Sequence, residues 1–171
     1  MKTACLSLAA AGIALIAAGV ALGEEPPNPK IDYKGFEALT TDLAKLHEEQ
    51  RVSEDEFLRL AAEPGVIVLD ARSKDKYERM HVKGAKHLAF TDFTAEALAK
   101  VIPSKDTKVV IYCNNNFKGE PELFAGKGAL VSLNIQTFIN LHSYGYTNVY
   151  ELAPLLDVKT TKIPFEGTSV K

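Results

Sequence analysis

Cysteine is scarce in this chain: 171 residues hold two, Cys5 and Cys113. Two cysteines cannot build a disulfide-rich scaffold or a four-cysteine zinc site. A surplus of one charge sign is missing as well, since 20 basic side chains stand against 22 acidic ones. A net charge of −2 gives nucleic acid or anionic lipid no purely electrostatic hold, so no nucleic-acid partner is expected. Nor is the composition that of a disordered protein. With 46% apolar and 25% charged residues, the chain is long and apolar enough for one ordinary globular domain. It contains no evident internal repeat or low-complexity tract.

Charge is most depleted at the start, where Lys2 is the only charged residue between Met1 and Gly23. From Cys5 to Leu22 every residue is apolar or small, and the run closes on Ala21-Leu22-Gly23 just before Glu24. A short basic start, an apolar stretch and a small-x-small exit describe a secretory signal peptide. A retained anchor is the alternative, but the alanine-rich run is only weakly hydrophobic. Residues 1–23 are therefore expected to be cleaved after Gly23, giving a periplasmic or secreted protein with no stable membrane insertion. Cys5 would leave with the peptide. Cys113 would then be the lone cysteine of an exported chain. An unpaired thiol in an oxidising compartment is a liability unless it is buried or used.

The remainder divides into three parts: a linker and N-terminal helix (24–51), a core domain (52–156) and a tail (157–171). Residues 24–32, EEPPNPKID, are proline-rich and charged, which predicts an extended linker. Phe36, Leu39, Leu43 and Leu46 recur at helical spacing, so 36–50 predicts an amphipathic helix that packs on its own domain or binds another chain. Ser53 and Glu56 have capping-box spacing and open a helix at 53–62, which Pro64-Gly65 ends. Val66 to Leu69 and Lys108 to Tyr112 are short continuous apolar runs, the mark of strands buried on both faces. Weaker strands are predicted at 87–90 and 148–150. Helices are predicted after Ser73 through Arg79, at 95–101 behind Thr94, and at 132–143. Alternating strands and helices predict an α/β domain with a mainly parallel sheet. Ligands of such sheets bind beyond the carboxyl ends of the strands, where Cys113 falls.

Three asparagines, Asn114, Asn115 and Asn116, follow Cys113 directly. Asparagine tolerates left-handed backbone better than other non-glycine residues. Such a run could curl so that successive N–H groups converge on an anion. A thiolate there would be stabilised by those amides, by Lys118 and by a helix N-terminus behind it. A strand-end cysteine acting as a small buried hydrophobe is the other reading.

Three stretches resemble the rhodanese family over residues 52–156. In VLDARSKDKYERMHVKGAKHL, residues 68–88, Asp70, Arg72, Glu78, His81, Val82, Gly84 and Ala85 match a D-x-R strand end, an acidic short helix and a G-H-I-x-G-A motif. Met80 replaces the usual glycine. The strand into Cys113 is the second stretch, and YGYTNVYEL, residues 144–152, is the third. The resemblance implies a three-layer fold, a mainly parallel central sheet flanked by helices. It also implies a sulfurtransferase in which Cys113 is the nucleophile and carries a persulfide between a sulfane-sulfur donor and a thiophilic acceptor. On that model the backbone of Asn114, Asn115, Asn116, Phe117 and Lys118 cradles the persulfide, and Lys118 is the cation. Asp70 and Arg72 brace the loops through a salt bridge, and His81 is a structural hydrogen-bonding residue. No cofactor or metal is implied; His47, His87 and His142 show no ligand spacing. The expected partner is a small sulfur donor or a persulfide-bearing protein.

The loop departs from the family pattern. Asn-Asn-Asn replaces the usual glycine and second basic residue, and Gly119 to Ser132 intervene before a convincing helix. That insertion reads as a lid or partner surface and adds Glu120 and Glu122, which favour a protein-bound or neutral partner over an anionic donor. A protein partner would dock at 119–132 or at 36–50. Phosphatase chemistry on the same fold needs an arginine six residues after the cysteine, and that position is Gly119. A catalytically weak or inactive binding or sulfur-carrier module and a redox sensor are the remaining alternatives.

Overall fold

The computed structural model describes residues 28–170, so the expected signal peptide lies outside the described residues. Of a first unit that ends at Asp32, residues 28–32 are described, a turn in which Asn28 Oδ1 accepts the Lys30 amide at 3.0 Å. The main body starts at Tyr33.

The body runs α1 (Tyr33–Glu49), β1 (Arg51–Val52), α2 (Glu54–Ala61), β2 (Ile67–Asp70), α3 (Lys74–Arg79), β3 (His81–Val82), β4 (Lys86–His87), α4 (Ala95–Val101), β5 (Val109–Tyr112), β6 (Phe117–Lys118), α5 (Leu133–Ser143), β7 (Val149–Leu152), β8 (Leu156–Asp157) and β9 (Phe165–Glu166). Short 3-10 turns cover Phe90–Asp92, Asn114–Asn116 and Ala129–Val131. Five strands form one parallel sheet in the order β1-β7-β5-β2-β4. All four residues of β5 are buried, as its unbroken apolar run requires of a central strand. The strand's two-residue period splits the core. Val110 and Tyr112 pack with α2 through Phe57 and Leu60, while Val109 and Ile111 pack with α4 and α5 through Leu98, Ile102, Phe138 and Leu141. The result is the α/β fold with a central parallel sheet flanked by helices.

Local chemistry sets the helix ends. Ser53 Oγ accepts the Glu56 amide at 3.2 Å, and Thr94 Oγ1 accepts the Ala97 amide at 3.1 Å. Helix α1 buries Leu43 with Leu39 and Leu46 against the α5 side of the core, so its apolar stripe packs on its own domain.

One expectation needs correction. The strand predicted at 87–90 ends at His87, and Phe90–Asp92 forms a 3-10 turn instead. The tail is pinned: β9 pairs antiparallel with β3, β8 pairs parallel with β6, and Ile163 is 2% exposed. Two-residue pairings carry too little periodicity to be read from the sequence. The two-residue β1 escaped notice for the same reason.

Gly167 closes the β9 end at φ +136°, a backbone conformation that disfavours other residues, and a Cβ there would lie 2.6 Å from the Arg79 carbonyl oxygen. Backbone cannot move aside as a flexible side chain can. Gly167→Ala should therefore lower folding stability by about 1–3 kcal/mol, measured by urea unfolding; an unchanged midpoint would show that the tail is not pinned here.

Candidate functional site

Strand β5 delivers Cys113 to the carboxyl edge of the sheet, beside β2, whose last residue Asp70 is in register with Tyr112. The thiol is 1% exposed and is the lone cysteine among the described residues. Its Sγ accepts the Asn115 amide at 3.4 Å and lies 3.6 Å from Ser132 Oγ. Ser132 is the N-cap residue of α5 but makes no side-chain capping bond. The amino end of an eleven-residue helix, with its partial positive charge, therefore stands behind the sulfur.

The three asparagines do not form the expected left-handed cradle. No non-glycine residue among those described has positive φ, and Asn114–Asn116 make one ordinary 3-10 turn. Their backbone amides are largely spent: Asn116 N–H returns to the Cys113 carbonyl at 3.2 Å, and Phe117 N–H goes to the Asn114 carbonyl. One amide, that of Asn115, reaches sulfur.

The side chains do the structural work instead. Asn114 Nδ2 donates to the Ala125 carbonyl at 2.7 Å. Asn115 Nδ2 donates to the Lys127 carbonyl at 2.8 Å, and the Lys127 amide donates back to Asn115 Oδ1 at 2.9 Å. Asn116, 4% exposed, is a buried hub. Its Oδ1 takes the Cys113 amide at 2.8 Å and Asn134 Nδ2 at 2.9 Å, while its Nδ2 donates to the Leu152 carbonyl at 2.6 Å. Asn116 thus fixes Cys113 to β7 and α5.

The insertion is two things. Leu123 and Phe124 are 4% and 3% exposed and join the core, whereas residues 125–131 are all exposed. The second half is a strap across the Cys113 loop, tied down by the Asn114 and Asn115 bonds.

Phe117 is 2% exposed and packs against Phe124 and Phe165 with ring centroids 4.8 and 5.1 Å away. Lys118 is exposed and lines an outer cavity with Pro121, Phe124 and Leu155. Of the added carboxylates, Glu122 is paired with Arg79 at 3.2 Å.

Asp70 and Arg72 are 0% and 1% exposed and form a forked pair, with Arg72 Nη2 2.6 Å from Asp70 Oδ2. Arg72 also donates to the Met80 carbonyl at 2.6 Å and to the Leu123 carbonyl at 3.1 Å, so it ties α3 and the insertion to the sheet. Burial draws the Arg72 pKa down, but the Asp70 carboxylate more than offsets this and leaves it above its ordinary value. Burial, reinforced by the Asp70 charge, pushes the Tyr112 phenol well above its usual value, so Tyr112 stays a donor, to Asp70 Oδ2 at 2.5 Å. His81 Nδ1 lies 2.7 Å from the Tyr77 carbonyl and Nε2 lies 3.2 Å from Glu166 Oε1, far along the chain from the Cys113 loop.

A cleft of about 500 Å³ opens beyond β2 and β5, lined by Ser73, Lys76, Thr91, Asn114 and Lys127 among others. Lys76, which also lies 3.3 Å from Asp75, and Lys127 are the lysines that line this cleft. Sequence reasoning missed them, along with Ser132 and Asn134, because a lone lysine or serine in a loop carries no spacing signal.

The family model described as a rhodanese-like domain matches residues 53–153. Among solved structures, the BH2092 protein from Bacillus halodurans is 19% identical, with 78% of this chain and 86% of that one covered and a TM-score of 0.53. The rhodanese-like domain of the Alr3790 protein from Anabaena sp. is 22% identical over 70% of this chain and 80% of that one, with a TM-score of 0.52. At these identities the structural likeness shows the fold. No curated protein matches the chain at a significant level.

Proposed function

Because the chain belongs to the rhodanese-like domain family, we propose that it is a sulfurtransferase that moves sulfane sulfur through a persulfide on Cys113, with residues 125–131 as the gate. The observation that carries the reading is the position of Sγ, at the end of β5, bonded by the Asn115 amide and backed by the amino end of α5. A buried hydrophobe needs neither feature.

The chemistry is covalent catalysis in two halves. The Cys113 thiolate attacks the outer, sulfane sulfur of the donor. A new S–S bond forms, the donor's own S–S bond breaks, and the leaving group departs with the electron pair, as sulfite does from thiosulfate. The acceptor then attacks the outer sulfur of the persulfide, and Cys113 leaves as thiolate. The Asn115 amide and the α5 terminus stabilise sulfur-borne negative charge in both states. Lys76 and Lys127 at the cleft mouth offset donor charge. On this reading the chain is exported and cleaved after Gly23, and its donor is a small sulfane-sulfur compound or a persulfide protein that meets the insertion.

Burial of Cys113 favours a second reading, a catalytically weak or inactive binding or sulfur-carrier module. Intact-mass measurement after thiosulfate or polysulfide treatment separates the two. A gain of about 32 Da, one sulfur atom, that is lost in Cys113→Ser is the expected result. No adduct, together with no turnover from thiosulfate to cyanide, would leave the binding module.

A further inference from the structure

A second cavity, of about 300 Å³, lies on the α1 side of the Cys113 loop and is lined by His47, Arg51, Ser132, Asn134 and Glu151 among others. Ser132 is the shared wall, because the same residue stands 3.6 Å from Cys113 Sγ. Two acceptors here are underused. Asn134 is 3% exposed, and its Oδ1 has no hydrogen-bond partner among the described residues. Glu151 is 7% exposed; its Oε2 lies 2.8 Å from His47 Nε2, but the nearest cation to Oε1 is Arg51 Nε at 4.0 Å, beyond hydrogen-bond length. A buried amide oxygen with no partner, beside a carboxylate oxygen whose nearest cation stands 4.0 Å away, calls for a ligand that brings N–H groups. Arg51, with its side chain 39% exposed at the rim, supplies the complementary cation. Arg51 and His47 precede residue 53, where the family match begins, so the segment before the matched domain furnishes two of the ten residues that line the cavity.

We propose that this cavity is the acceptor subsite and takes a small α-amino thiol. Its ammonium group binds Glu151 and Asn134, its carboxylate binds Arg51, and its sulfur approaches Cys113 past Ser132. The assignment rests on the sulfur-transfer reading above and names its acceptor. The acceptor sulfur bonds to the outer sulfur of the Cys113 persulfide, and the Cys113 S–S bond breaks with its electron pair returning to Sγ. The proton of the acceptor thiol ends on the transferred sulfur, so a free persulfide leaves and no oxidant is consumed.

The test loads the chain with one sulfur and follows unloading by mass with L-cysteine, cysteamine (no carboxylate) and 3-mercaptopropionate (no ammonium) at equal thiolate concentration. L-cysteine should unload about tenfold faster than either analogue. Arg51→Met, at an exposed side chain, should bring L-cysteine down to the cysteamine rate, and Glu151→Gln should bring it to the 3-mercaptopropionate rate. Equal rates for the three thiols on the unaltered chain would overturn the subsite. Separately, L-cysteine titrated into the Cys113→Ser chain should shift the amide resonances of Arg51, Ser132 and Asn134. Absence of those shifts would also overturn it, even if sulfur loads. Failure to load sulfur while those shifts occur would overturn sulfur transfer and leave the amino-thiol site standing.

Discussion

Replacing Arg72 with methionine should cost about 3–5 kcal/mol of folding free energy, read as a fall in the urea midpoint. The size follows from what remains behind. Asp70 is 0% exposed and would keep only two donors, the Arg72 backbone amide at 2.9 Å and the Tyr112 hydroxyl, with no counter-charge. The Met80 and Leu123 carbonyls would lose their charged donor. The guanidinium also stacks on Phe124, its central carbon 4.4 Å from the ring centroid, so one substitution loosens α3 and the insertion together. Arg72→Lys should recover little, because a single ammonium cannot fork onto Asp70 and reach two carbonyls at once. Replacing both partners, Asp70→Leu with Arg72→Met, should cost less than the sum of the single changes, since no unpaired charge stays inside. If Arg72→Met shifted the midpoint by less than about 1 kcal/mol, the pair would have no bracing role.

Long-range organisation was legible where periodicity is strong. The apolar runs before Asp70 and Cys113 place two adjacent parallel strands, because only buried central strands dispense with polar residues on both faces. The D-x-R pattern pointed to a salt bridge, and the pair is the forked contact between Asp70 and Arg72. The loop was misread because asparagine has two uses that look alike in sequence. Its backbone tolerates left-handed turns, and its amide side chain bonds neighbouring backbone. Here the second use wins at all three positions. Asn114 and Asn115 hold the strap, and Asn116 holds Cys113 itself. Which use prevails depends on carbonyls at Ala125, Lys127 and Leu152, brought close only by the fold. Ser132 and Asn134 were invisible for the same reason, since their place beside Cys113 is set by where α5 starts after the insertion.

The strap makes access to Cys113 adjustable, and loosening it should have a large kinetic effect. In the double variant Asn114→Ala/Asn115→Ala, alkylation of Cys113 by iodoacetamide at neutral pH should run about 100-fold faster. Three hydrogen bonds tie residues 125–127 to the loop, at 2.7, 2.8 and 2.9 Å. Each contributes about 1 kcal/mol net, and every 1.4 kcal/mol changes an opening equilibrium about tenfold. Because residues 125–131 are all exposed, opening uncovers little apolar surface, and the global unfolding midpoint should barely move. Leu123 and Phe124 stay in the core throughout, so the motion is confined to the strap. Intact-mass time courses measure the rate, and urea unfolding of the same variant measures the global stability. Faster alkylation at unchanged stability assigns access to local opening of 125–131. An alkylation rate equal to that of the unaltered chain would exclude the strap as the gate and leave the α1-side cavity bounded by Ser132 as the one route to Cys113 for reagent and donor as well as acceptor.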